Sequence, residues 1–201
     1  PRGPPPAGGG GPRRWTFDEA WDAAERLAAG FLADGLAPGD RVALWLANGA
    51  EMVLASWALE IAGLVRVPLN ARYTPVEAAR VLAGCAPALV IVDAGRADAA
   101  RGAAPGGGFR VAVVGDARWE ALAGHARDAG NLYTATPATP CSISYTSGST
   151  GGPKGVVLTH GAWAAVYRNM LADRDIRADD RLAHYGPLSH ASGAWVLPFF
   201  L

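Results

Sequence analysis

Short, almost wholly apolar runs alternate along this chain with capped, helix-patterned stretches, and that alternation restricts the fold more than any other feature. "RVALWL", "VRVPL", "ALVIVD" and "RVAVVG" are rich in β-branched residues and read as strands, with Pro68 placing the second near a strand end or an edge. Between them, Thr16 with Glu19, Asn48 with Glu51 and Thr74 with Glu77 carry the spacing of a capping box. Ala20, Ala24, Leu27 and Phe31 then form one helical face, and Leu54, Trp57, Ala58 and Ile61 form another. The helix opened by Thr74 is predicted to run to about Gly84. Strands that are apolar on both faces need helices on both sides, so the expected class is α/β, with largely parallel sheet layered between helices.

The second half continues the pattern with a difference. Trp119 to Ala129 is predicted helical, and "NLYTATPATP" is a polar connector. "CSISYT" and "GVVLTH" read as strands flanking a loop of Ser, Thr and Gly that spans 146–155. Trp163, Val166, Tyr167, Met170 and Leu171 give helical spacing, "RLAHYG" reads as a last strand, and "ASGAWVLPFFL" follows. The first 14 residues, dominated by Pro and Gly, are expected to form a disordered or extended arm, leaving 15–201 as the folded part. The apolar run Trp195 to Leu201 stops without a polar end, which suggests part of a longer protein.

Composition removes several classes of function. Formal net charge is +0, so nothing attracts the chain in bulk to nucleic acid or to an anionic membrane surface. No apolar run approaches the ~18 residues of a membrane span. The Arg-containing N-terminus lacks the apolar core of a secretory signal. Cys85 and Cys141 have no metal-ligand spacing; they read as buried free thiols, consistent with a reducing cytoplasm.

The Ser/Thr/Gly loop has three elements suited to an anion. Its glycines let backbone N–H groups converge, its hydroxyls donate, and Lys154 supplies a point charge. Lys154 is the only lysine among the 18 Lys and Arg. A flexible linker and an ordinary Gly-containing hairpin turn are the plainer readings of the same composition. A P-loop NTPase is disfavoured: Pro153 precedes the lysine, Gly155 follows it where a hydroxyl would bind magnesium, and a strand rather than a helix comes next.

The run "YTSGSTGGPKGVVLTH" resembles the phosphate-loop signature of the adenylate-forming superfamily, which includes acyl- and aryl-CoA synthetases, luciferases and peptide-synthetase adenylation domains. Every fixed position of Tyr-Thr-Ser-Gly-(Ser/Thr)-Thr-Gly-x-Pro-Lys-Gly-Val is matched, and residues 16–77 are similar to the N-terminal region of the family's acyl-CoA ligases. The resemblance covers about residues 15–201 and implies the N-terminal portion of the large domain of such an enzyme. It implies that ATP and a small-molecule carboxylic acid give an acyl-adenylate, which then passes its acyl group to coenzyme A. By the same resemblance Thr146, Ser147, Gly148, Ser149, Thr150, Gly151 and Lys154 would hold the β- and γ-phosphates of ATP, with Thr146 also contacting Mg2+.

"YGPLSHASG" resembles the family's Pro-Leu-x-His-x-x-Gly element, which assigns His190 to the carboxylate side of the reacting centre. It favours a CoA ligase over an adenylation domain loading a carrier protein. His125 and His184 read as solvated or packed and His160 as structural; Trp195, Phe199 and Phe200 read as core. Trp45, Trp57 and Trp163 occupy core-like periodic positions, and Arg66, Arg72 and Arg80 read as solvated charges. The family's adenine- and ribose-contacting elements, hinge and C-terminal lid do not occur in the 201 residues. The chain alone is therefore expected neither to adenylate nor to form a thioester. A non-catalytic nucleotide- or acyl-binding relative, or a structural domain with a fortuitous loop, are the alternatives.

Overall fold

The computed structural model describes residues 13–104, 108–128, 133–146, 152–177 and 179–200. Six strands form one sheet in the order β4-β3-β1-β2-β5-β6. They are β1 (Arg41–Trp45), β2 (Val65–Pro68), β3 (Leu89–Val92), β4 (Arg110–Val113), β5 (Pro140–Thr146) and β6 (Lys154–Thr159). β1 to β5 run parallel, and β6 returns antiparallel to β5. The helices are α1 (Phe17–Ala33), α2 (Ala50–Ile61), α3 (Pro75–Cys85), α4 (Ala97–Gly102), α5 (Ala117–Ala123) and α6 (His160–Asp173).

The apolar strands divide their side chains between two cores by simple alternation. Val42, Leu44, Leu89, Ile91 and Ala112 face the side covered by α1, α2 and α5, where Leu27, Phe31, Leu59 and Trp119 are buried. Ala43, Trp45, Val90, Val92 and Val113 face the other side, against Ala78, Val81 and Leu82 of α3 and Ala97 and Ala100 of α4. A residue-by-residue switch of face over wholly apolar strands is the expected three-layer α/β arrangement. α1 and α5 approach so closely that a Cβ on Gly30 would lie 2.1 Å from the Leu122 carbonyl oxygen.

Both Thr16–Glu19 and Thr74–Glu77 form complete capping boxes at α1 and α3. Three expectations are corrected, and one element is added. α2 begins after Gly49 with no side-chain cap, because Asn48 is engaged elsewhere. α5 ends at Ala123, well short of 129. The short helix α4 forms in a stretch to which the sequence pattern assigns no element. Residues 181–186, predicted as a strand, join no sheet. The arm's residues 1–12 lie outside the described residues, whereas Arg13 pairs with Glu51 at 2.8 Å and lies over the Trp15 ring.

Arg66 is also not a solvated charge. Its guanidinium pairs with Glu60 at 3.3 Å, lies over the Trp163 ring at 5.6 Å, and leaves the side chain 11% exposed. Arg72 and Arg80 are exposed, as expected. Trp163 donates to Ser142 Oγ at 2.9 Å and stacks on Tyr167, fastening α6 to β5. Trp45 and Trp57 are buried, but no residue of α6 is: Trp163 is half-buried, and Val166 and Leu171 are exposed.

Both thiols are buried and free. Burial pushes Cys85 up to about 11. Burial, helped by the carboxylate of Glu60, pushes Cys141 up to about 12. No helix among the described residues is long and apolar enough to cross a membrane.

Candidate active site at the carboxyl edge of the sheet

The strands that flank the Ser/Thr/Gly loop pair as a β-hairpin. β5 and β6 pair from Pro140↔Thr159 up to Thr146↔Lys154, so Thr146 and Lys154 face each other where the two strands part. Ser147, Gly148, Ser149, Thr150 and Gly151 lie outside the described residues. The chain re-enters β6 through Gly152, whose φ of 111° lies in the region that favours glycine. Thr146 and Lys154 are both exposed, and Lys154 makes no ion pair with any described residue.

Packing explains the glycine after the lysine. Gly155 lies directly across from Tyr145, and a Cβ there would meet Ile143 Cγ2 at 2.8 Å and the Tyr145 ring at 3.1 Å. The tyrosine ring thus covers the bare backbone of β6, a cross-strand contact that pins the hairpin register. Desolvation raises the Tyr145 hydroxyl above its ordinary value, so it stays protonated at the hairpin base.

β2 and β5 pair in parallel at Arg66↔Ser142, and four residues further along each chain stand Asn70 and Thr146. Both therefore reach the carboxyl edge of the parallel sheet at the same level, the edge at which open α/β sheets bind ligands. Asn70 Nδ2 lies 3.5 Å from His190 Nε2. Thus β2 links the histidine element to the hairpin mouth.

His190 itself is exposed and ends a tight turn that leads into a 3-10 segment, Ala191–Trp195. Its N–H donates to the Pro187 carbonyl at 3.1 Å, and its carbonyl accepts from Gly193 N–H at 2.9 Å. A Cβ on Gly193 would sit 2.3 Å from the Leu188 carbonyl oxygen, so the turn requires glycine there. Asn48, three residues past β1, clamps the start of this turn: Nδ2 donates to the Gly186 carbonyl at 2.7 Å, and Oδ1 accepts from Leu188 N–H at 2.9 Å.

The sequence singles out neither Asn48 nor Asn70 for the candidate site. Asn48 mimicked a helix cap, and Asn70 had only its position just after "VRVPL" to recommend it. His160 begins α6 and donates its backbone N–H to the Thr139 carbonyl. His125 is exposed, and the ring of His184 is partly packed. Trp195, Phe199 and Phe200, expected in the core, are only half-buried: Phe200 packs with Phe17 and Trp57, and Phe199 and Phe200 line an open pocket beside Asn48 and Leu188. No group of three or more His, Cys, Asp or Glu among the described residues could hold a metal ion.

A family model described as AMP-binding enzyme matches residues 6–201. A substituted-propanoyl:CoA ligase of Mycobacterium tuberculosis is 36% identical over 196 residues, covering 90% of this chain and 38% of that protein. The inhibitor-bound N-terminal domain of FACL13 from Mycobacterium tuberculosis superposes with a TM-score of 0.83 at 30% identity, covering 92% of this chain and 48% of that one. ATP-bound MatB from Rhodopseudomonas palustris gives a TM-score of 0.81 at 30% identity, covering 90% of this chain and 37% of that one. The chain thus spans under two fifths of the ligase it matches. With a family model matched along nearly its whole length, the chain belongs to the AMP-binding enzyme family, whose members similar to it include acyl-CoA ligases and also carrier-protein ligases.

Proposed function

We propose that this chain carries the phosphate-binding half of an acyl-CoA synthetase site, in a protein that activates a carboxylic acid with ATP and transfers the acyl group to coenzyme A. The observation that carries the reading is the hairpin register, which sets the Thr146 hydroxyl and the Lys154 ammonium across one loop mouth. The residues present fit a polyphosphate. An exposed lysine with no ion pair to a described residue is free to pair with phosphate oxygens, and Gly152 opens the loop backbone beside it.

When bound, ATP supplies the electrophilic α-phosphate and a pyrophosphate leaving group. Ser147, Gly148, Ser149, Thr150 and Gly151 would contribute hydroxyl and backbone N–H donors to the β- and γ-phosphates, and Thr146 a hydroxyl to Mg2+. Such a site acts by holding charge in place, not by covalent chemistry. His190, held by its turn at the same sheet edge, would face the carboxylic acid. The buried free thiols suit a reducing cytoplasm.

The test is carboxylate-dependent exchange of labelled pyrophosphate into ATP. The whole protein is expected to catalyse it, and residues 1–201 alone are not. Exchange by these residues alone would overturn the second expectation, and its absence from the whole protein would overturn the first.

A further inference from the structure

We propose that Asn70 is a positioning residue for His190, holding its ring as the Nδ1–H tautomer with the Nε2 lone pair toward the asparagine amide. This deepens the reading of His190 as a site residue and rests on that reading for its functional meaning. The tautomer itself follows from four atoms.

The orientation of the Asn70 amide is fixed by chemistry. A backbone N–H can only donate, and Arg72 N–H reaches one end of the amide at 2.9 Å; that end must be Oδ1. The NH2 end then faces His190 Nε2 at 3.5 Å, and an amide NH2 can only donate. Nε2 must accept. On the other side of the ring, Nδ1 lies 3.1 Å from the Ser189 carbonyl, which can only accept, so Nδ1 must carry the proton. Two partners with unambiguous roles, on opposite sides of the imidazole, specify the same tautomer. The alternative would set N–H against NH2 on one side and a lone pair against a carbonyl on the other.

Asn70 is placed to do this by the fold. It follows β2 directly, Leu69 N–H still pairs with the Leu44 carbonyl, and Tyr73 N–H closes a turn on the Asn70 carbonyl at 3.0 Å. Its backbone is therefore anchored on both sides. The consequence for the site is a ring set in plane and tautomer where the resemblance puts the carboxylic acid.

Long-range 1H–15N spectra of the 201-residue chain, recorded well above the ordinary titration range of histidine, read the tautomer directly. The His190 signals are identified by their loss in His190→Gln. The expected pattern is Nδ1 protonated and Nε2 unprotonated. Asn70→Asp keeps the acceptor for Arg72 N–H but presents a carboxylate oxygen to Nε2 while the Ser189 carbonyl still faces Nδ1, so Nε2 should gain hydrogen and its unprotonated signal should be lost. Asn70→Ala should give a mixture. A wild-type His190 in the Nε2–H form, or an unchanged pattern in Asn70→Asp, overturns the proposal. The wild-type spectrum decides even if the variants do not fold. No nucleotide is present in the experiment, so failure of the phosphate-site reading would leave the tautomer result standing.

Discussion

Asn48 and Leu188 lie 140 residues apart in sequence, yet the Asn48 carboxamide accepts the Leu188 N–H at 2.9 Å. The same amide donates to the Gly186 carbonyl, so one side chain satisfies two backbone groups of the turn that carries His190. Asn48→Ala should leave both unpaired and cost ~1–3 kcal/mol. Hydrogen exchange checks it: the Leu188 amide should lose protection in Asn48→Ala and keep it in Asn48→Asp, which retains the acceptor. Equal protection in all three would show that the clamp does not hold the turn.

The sequence could not show this contact, because an asparagine three residues ahead of a glutamate carries the same signature whether it caps a helix or reaches across the fold. What was legible was local or periodic. The capping boxes at Thr16 and Thr74 are local, and the division of Val42 and Leu44 from Ala43 and Trp45 follows from alternation. The hairpin could be read from its flanks. Residues 181–186 have strand-like composition, but a strand also needs a partner ladder, and Asn48 takes the Gly186 carbonyl instead. Periodicity likewise identified α6 without saying what covers it: Val166 and Leu171 are exposed. Arg66 reads as one more charge in sequence, and only the fold brings Glu60 and Trp163 to it.

That burial makes arginines unequal. Arg66→Ala would leave Glu60 with an uncompensated, largely buried charge, and breaking such pairs costs ~3–5 kcal/mol. Arg72→Ala, at an exposed position, should change stability by no more than ~0.5 kcal/mol. Urea denaturation of the two variants tests the contrast, and equal effects would refute the packing described for Arg66.

Glycine at position 30 is required by helix approach. An alanine Cβ would stand 2.1 Å from the backbone oxygen of Leu122, which cannot rotate away. Gly30→Ala should therefore destabilise by ~1–3 kcal/mol or more despite its better helix propensity, by forcing α1 and α5 apart. A rise in melting temperature would contradict this close contact.

Alkaline pH should destabilise the fold through its buried acids. Cys85 at about 11 and Cys141 at about 12 stay protonated in the native state after the unfolded chain, at an ordinary 9.0, has released those protons. Desolvation of the half-buried Tyr167 hydroxyl likewise raises it. The stability these groups contribute is intact below pH 9.0 and declines as pH rises toward their native values, by ~1.4 kcal/mol per pH unit for each group in its window. Cys141→Ala should flatten the profile of stability against pH above 9.0, and an unchanged slope would contradict the raised value.

On the proposed function, the hairpin mouth between Thr146 and Lys154 holds the phosphates of ATP. Calorimetric titration of Mg·ATP into the wild-type chain and into Lys154→Ala, with folding of both verified by circular dichroism, tests it most directly. Loss of a charge-assisted contact of about 1.4 kcal/mol or more corresponds to binding weakened tenfold or beyond. Wild-type binding with at least that loss in Lys154→Ala is the predicted result; equal affinity in the two proteins, or no binding by the folded wild-type chain, would contradict it.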